Sequence, residues 1–225
     1  KREDLALLAR NSNIILMEDL GSGVLIDLSA FGLRDEPVVS DILKSGVDLV
    51  MFSGDKLLGG PQSGIIAGRA DLVGSLKSHP LCRAVRIDKL SLAALEATLR
   101  LYRDPHDPLK SVPVLRAIAQ TVGEVRARAD RLGDALIASG LEDVTVAKSA
   151  AYVGGGSLPQ QDLESYAVSV SAPPYTADAL VAALRGAETP IIGLIRNDRF
   201  VMDARTLNDE DLPIVLHAFR GLRAR

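Results

Sequence analysis

Three shortages narrow the field before any motif is read. The chain has a single cysteine, Cys82, which excludes an internal disulfide framework and suits a reducing, cytoplasmic setting. It has no basic excess: 26 Lys and Arg stand against 29 Asp and Glu, for a formal net charge of −3. Nucleic-acid-binding modules usually carry a surplus of positive charge, so this stretch by itself is no obvious one. No apolar run approaches the ~18 residues needed to span a bilayer. The charged start, Lys1-Arg2-Glu3-Asp4, leads into no apolar segment of signal type. Internal repeats and low-complexity tracts are also missing. The first residue is not Met, and a helix-like pattern (Leu5, Leu7, Leu8) begins at once. The chain is therefore expected to be a piece of a longer protein. What is plentiful is apolar surface, 47% of 225 residues, enough for a sizeable core and against disorder.

Hydrophobic patterning predicts alternating helices and strands. Residues 3–11 read as a helix end. Ile14-Ile15-Leu16-Met17 reads as a strand buried on both faces, stopping at Glu18-Asp19-Leu20-Gly21-Ser22-Gly23. A short helix over 37–45 precedes a strand from Val47 to Phe52. Gly64 to Gly68 follows too soon for a helical crossover, so it should pair antiparallel. Helices are expected at 71–77 and 91–102. The proline-bearing stretch 104–113 marks the best domain boundary, giving domains 1–106 and 107–225. Beyond it the pattern predicts one long helix over 114–139, strands near 144–146 and 166–170, and a helix at 177–186. Two strands, 191–195 and 199–203, should flank a turn at Arg196-Asn197-Asp198, before a last helix at 209–222. This suits a small α+β domain beside an α/β one.

The chemistry is concentrated at Phe52-Ser53-Gly54-Asp55-Lys56-Leu57-Leu58-Gly59-Gly60-Pro61-Gln62. A strand here delivers a lysine at its C-terminal end, in a tight glycine-rich turn. Ligand crevices of open α/β sheets lie outside the carboxyl ends of strands. A lysine held there is a candidate for covalent Schiff-base chemistry, the kind of position where an amine can be desolvated. Asp19 ends the preceding strand, so both groups share one rim if the strands are parallel neighbours. A carboxylate beside such a lysine suits pyridoxal phosphate, whose pyridine nitrogen it keeps protonated. Glu18 would point to the opposite side of the strand. Cys82 reads as a small buried hydrophobe, and His79 as a cap or a proton donor. Gly154-Gly155-Gly156 reads as a turn, with no helix start in the form a phosphate loop needs.

These runs, continued by Ser63-Gly64-Ile65-Ile66-Ala67-Gly68, resemble the bacterial selenocysteine synthases, L-seryl-tRNA(Sec) selenium transferases. So do His79-Pro80-Leu81, Arg83-Ala84-Val85-Arg86, Asp88-Lys89 and Leu92-Ala93-Ala94-Leu95-Glu96-Ala97-Thr98-Leu99. The likeness is dense from about 14 to 105 and looser through Gly154 to Pro159, Pro190 to Gly193 and Asp203-Ala204-Arg205-Thr206.

The resemblance implies a fold-type-I pyridoxal phosphate-dependent transferase. The chain would hold the C-terminal half of the large cofactor-binding domain and the small C-terminal domain. Lys56 takes the place of the Schiff-base lysine and Asp19 that of the pyridine-nitrogen carboxylate. Ser53 is expected to touch the cofactor phosphate, and Asp55 to tune Lys56 or position substrate. Arg83 and Arg86 would bind selenophosphate; on a helix their spacing of three puts both on one face. The implied reaction converts seryl-tRNA(Sec) to selenocysteinyl-tRNA(Sec) through an aminoacrylyl intermediate. It needs no metal. Arg205 stays outside the site, since the seryl carboxyl is esterified and needs no clamp. The family's N-terminal, tRNA-facing part is absent from the match, so the chain alone is expected to be inactive. The family forms rings of dimers, implying a homo-oligomer. Two other readings stay open: another fold-type-I lyase or transferase acting on a free amino acid, and a truncated, non-catalytic remnant.

Overall fold

The computed structural model describes residues 1–34, 36–154 and 161–223. They cluster into two compact units, Lys1–Ala119 with Val153–Gln161, and Gln120–Tyr152 with Asp162–Arg225.

The first unit opens with helix α1 (Arg2–Asn11), strand β1 (Met17–Gly21), helix α2 (Val39–Lys44) and strand β2 (Leu49–Ser53). Strand β3 (Gly64–Gly68) and helices α3 (Ala70–Ser78), α4 (Pro80–Val85), α5 (Lys89–Leu101), α6 (Asp107–Ser111) and α7 (Pro113–Ala119) follow. The three strands form one sheet in the order β1-β2-β3. β1 and β2 are parallel, and β2 and β3 antiparallel as their short connection requires. Alternation along β2 turns Val50 and Phe52 into a core with Val39 and Ile42 of α2, to which Leu16 and Leu20 add. Met51 and Ser53 lie on the other face.

One expectation changes here. The strand begins at Met17, not Ile14, and it carries Glu18 and Asp19 within it. Ile14 and Ile15 are 61% and 53% exposed rather than buried on both sides. They precede β1, which among the described residues is an edge strand paired with β2. The proline-bearing stretch folds as α6 and the start of α7 and clusters with the first unit. Val112, between those helices, is buried and packs so close to Gly59 that a Cβ there would overlap it.

The second unit contains α8 (Val122–Ala138), β4 (Asp143–Tyr152), β5 (Asp162–Ser171), α9 (Ala177–Arg185), β6 (Leu194–Arg196), β7 (Arg199–Asp203) and α10 (Asp211–Arg223). The single helix read over 114–139 is two. Thr121 stops the first and caps α8, its Oγ1 accepting from Glu124 N while Glu124 Oε2 accepts from Thr121 N. The sheet order is β4-β5-β7-β6, all antiparallel. Asn197 and Asp198, both at positive φ (50° and 55°), make the hairpin turn between β6 and β7, as two-residue loops with right-handed twist demand. Val125, Leu132 and Leu136 of α8 meet Val168 and Val170 of β5, with Leu184, Phe200 and Phe219 completing the core. Phe200 and Phe219 pack edge to face, 6.2 Å between centroids. Burying each such ring contributes roughly 2–3 kcal/mol.

Candidate active site

Parallel pairing brings the ends of β1 and β2 to one rim, with Asp19 beside Met51 and Gly21 beside Phe52. Asp19 therefore shares a face with Met51 and, two residues on, Ser53. Glu18 faces the other way, and Arg2 takes it with bonds of 2.7, 2.8 and 3.0 Å. Asp19 is exposed, and its carboxylate has no hydrogen bond or ion pair among the described residues. Geometry thus separates the two neighbouring carboxylates.

After Asp19 the chain turns sharply. Ser22 N–H donates to Leu20 O at 2.8 Å, closing a γ-turn around Gly21 at φ +73°. Gly23, at φ +70°, lies so close to β2 that a Cβ would stand 2.6 Å from Phe52 Cδ2 and 2.9 Å from Ser53 O. The carbonyl of Ser22 then accepts from Leu57 N–H at 3.2 Å. This bond ties the aspartate turn to the lysine turn.

The lysine turn is closed by its own backbone. Gly54 N–H donates to Ser63 O at 2.8 Å, Gly60 N–H to Gly54 O at 2.8 Å and Gly59 N–H to Lys56 O at 3.0 Å. A side chain at Gly54 would overlap Ser63 Oγ. Leu57 and Leu58 are fully buried and anchor the turn from below. Tyr102, which ends α5, donates from its hydroxyl to Leu58 O at 2.8 Å. On this base Lys56 and Asp55 project together, Nζ to Oδ2 at 3.2 Å, their side chains 31% and 30% exposed. An amine in that position is reachable by a ligand yet held in place.

The arginines are arranged differently from the sequence reading. Arg83 sits in the last turn of α4, but Arg86 is the residue after the helix, in extended backbone at φ −61° and ψ 141°. Two residues further on, Asp88 caps α5, accepting from Leu90 N at 2.8 Å, Ser91 N at 3.1 Å and Ser91 Oγ at 2.6 Å. These bonds hold the Asp88 carboxyl below its ordinary pKa. Both arginines are exposed and neither has an acidic partner among the described residues. His79 is the α4 cap, its Nδ1 accepting from Leu81 N at 3.2 Å. Cys82 is exposed, not a buried hydrophobe, because short α4 contributes no buried residue.

Arg205 is 4% exposed. Its guanidinium donates to Gln120 O at 2.9 Å and to Glu164 O, and burial pulls its pKa down. Of the glycine loop only Gly154 falls among the described residues; 155–159 lie outside them. No group of three or more His, Cys, Asp or Glu able to hold a metal occurs among the described residues. No described helix is long and apolar enough to cross a membrane. Two contributors escaped the sequence reading. Ser22 lay inside a quoted motif, flagged by its flanking glycines. Tyr102 carried no local signal.

Over residues 1–208 the chain matches the family model of SelA, L-seryl-tRNA selenium transferase. The chain belongs to this family. A curated L-seryl-tRNA(Sec) selenium transferase from Hyphomonas neptunium is 70% identical over 225 residues, which is 100% of this chain and 49% of the relative. One from Geobacter sulfurreducens is 46% identical over 221 residues, 97% of this chain and 48% of the relative. The chain spans about half the length of the curated relatives it matches. Among solved structures, a D-glucosaminate-6-phosphate ammonia-lyase aligns with a TM-score of 0.55 at 20% identity, covering 99% of this chain and 52% of that one. That likeness concerns the fold, which is α/β and of fold type I.

Proposed function

We propose that the chain is the C-terminal half of a pyridoxal phosphate-dependent enzyme that converts L-seryl-tRNA(Sec) to L-selenocysteinyl-tRNA(Sec) with selenophosphate. The observation that carries this reading is that β1, which holds Asp19, and β2, whose following turn holds Lys56, are hydrogen-bonded parallel neighbours. The residues present fit the cofactor. Lys56 offers a partly exposed amine suited to a Schiff base. Asp19 offers a carboxylate with no protein partner among the described residues, suited to a protonated pyridine nitrogen. Side-chain-free turns at Gly21, Gly23 and Gly54 let the backbone come close.

When bound, the cofactor supplies an electron sink for charge developing at Cα of an attached amino acid. Lys56 Nζ takes the α-proton as general base. Asp55, 3.2 Å from Nζ, orients that amine. Asp19 keeps the ring nitrogen protonated, and Ser53, on the same sheet face, holds the phosphate. Arg83 and Arg86 present guanidinium groups to selenophosphate, whose oxygens match their forked donors. Arg205 bonds to protein carbonyls, which supports a substrate whose carboxyl is already esterified. The first unit is read as the C-terminal half of the large domain and the second as the small domain. The complete enzyme would be a homo-oligomer that meets seryl-tRNA(Sec) largely through its other half.

The test is a pyridoxal phosphate titration of the chain, followed by borohydride reduction and peptide mass mapping. A stoichiometric adduct on Lys56 is expected; none there, or adducts scattered over many lysines, refutes the site. In the complete enzyme, Lys56→Ala should abolish conversion of seryl-tRNA(Sec). Retained turnover would remove the proposed mechanism.

A further inference from the structure

The turn after Asp19 contains a polar group that the reading above does not use. Ser22 is 7% exposed, and its Oγ is buried with no hydrogen-bond partner among the described residues. A buried hydroxyl in that state has given up water without recompense, and in native proteins such a group marks strain, an ordered ligand or a functional role. The backbone of Ser22 is, by contrast, fully engaged. Its N–H donates to Leu20 O and its carbonyl accepts from Leu57 N–H. Flanking glycines at positive φ hold it there, and Gly23 is wedged against Phe52 and Ser53. The hydroxyl therefore sits three residues after Asp19, on a turn bonded to the residue after Lys56.

We propose that Ser22 is a further cofactor-binding residue, its hydroxyl hydrogen-bonding a polar atom of the pyridoxal phosphate held between Asp19 and Lys56. The inference rests on the cofactor reading of the site. A serine hydroxyl has three staggered χ1 wells, so it can turn to a ligand arriving in the crevice while the pinned backbone stays still. Pyridoxal phosphate carries phenolic and phosphate oxygens able to accept from it.

The test uses the complete enzyme with S22A and S22C, and two readouts besides turnover. One is the Kd for pyridoxal phosphate, from visible absorbance with borohydride mapping of the adduct. The other is the unfolding midpoint without cofactor. Removing an unpartnered buried hydroxyl should raise the cofactor-free midpoint of S22A by about 2–4 °C. The same change should raise the Kd about fivefold to tenfold, the loss of one hydrogen bond. S22C keeps a weaker donor of similar size and should fall between wild type and S22A. A lowered cofactor-free midpoint with an unchanged Kd would assign the hydroxyl to a protein partner and overturn the proposal. An unchanged Kd with any midpoint overturns it as well. If wild type forms no adduct on Lys56, the cofactor reading itself fails; if wild type and S22A bind alike, only the role of Ser22 fails.

Discussion

Tyr102→Phe deletes one O–H and nothing else, and its consequence changes with pH. The hydroxyl lies 2.8 Å from Leu58 O and 3.5 Å from Leu57 O, and only the first distance makes a bond of ordinary strength. Losing it, and leaving a carbonyl beneath the lysine turn without that donor, costs about 1–2 kcal/mol at neutral pH. Burial also pushes the Tyr102 hydroxyl up to about 12 from an ordinary 10.0. The folded chain thus keeps a proton that the unfolded chain releases. Stability from the neutral phenol is complete below about pH 10 and is lost as pH rises toward about 12. At about 1.4 kcal/mol per pH step the full loss would be about 2.7 kcal/mol. The ring is only partly buried, and solvent screening reduces this to about 1 kcal/mol. Wild type should therefore exceed Tyr102→Phe by about 1–2 kcal/mol near pH 8, and most of that gap should close by about pH 12. Urea unfolding followed by far-UV circular dichroism across that range measures it. A gap that stays constant with pH, or no gap near pH 8, would refute the reasoning.

Three further outcomes are expected. Arg205→Met leaves the carbonyls of Gln120 and Glu164 without their donor in a buried site and should destabilise the second unit by about 2–4 kcal/mol, offset in part by the relieved desolvation of the charge; an unchanged urea midpoint would contradict this. Gly54→Ala drives a methyl into Ser63 Oγ, so the lysine turn should shift and the yield of borohydride-trapped Lys56 adduct should fall at least severalfold; equal yield would show that the turn yields without consequence. Arg83→Ala and Arg86→Ala should each raise the apparent KM for selenophosphate tenfold or more in the complete enzyme, with pyridoxal phosphate affinity unchanged. Loss of cofactor binding in either variant would assign the arginines elsewhere.

The candidate site was legible because its parts are local. Phe52 to Gln62 holds a strand end, a lysine and its turn within a few residues. The small size of glycine at 23 and 54 is a constraint that the chain states directly. Antiparallel pairing of β3 followed from a connection too short for a helix. Arg86 was misread because a three-residue spacing looks the same whether a helix continues or stops, and α4 stops at Val85. The break between α7 and α8 was hidden for a similar reason: Gln120 and Thr121 interrupt no hydrophobic period, yet Thr121 and Glu124 close a capping box there.

By itself the sequence determined the α/β class, the lysine-bearing strand end and the family resemblance, since each rests on residues adjacent in the chain. Strand alternation already favoured Asp19 over Glu18, but only the tertiary structure showed Arg2 reaching from α1 to Glu18 while the Asp19 carboxylate keeps no partner among the described residues. Only it showed that Ser22 joins the aspartate turn to the lysine turn, and that Tyr102 supports that turn from α5. Those contacts link positions far apart in sequence, and no period or spacing in the chain encodes such a meeting before the strands have paired.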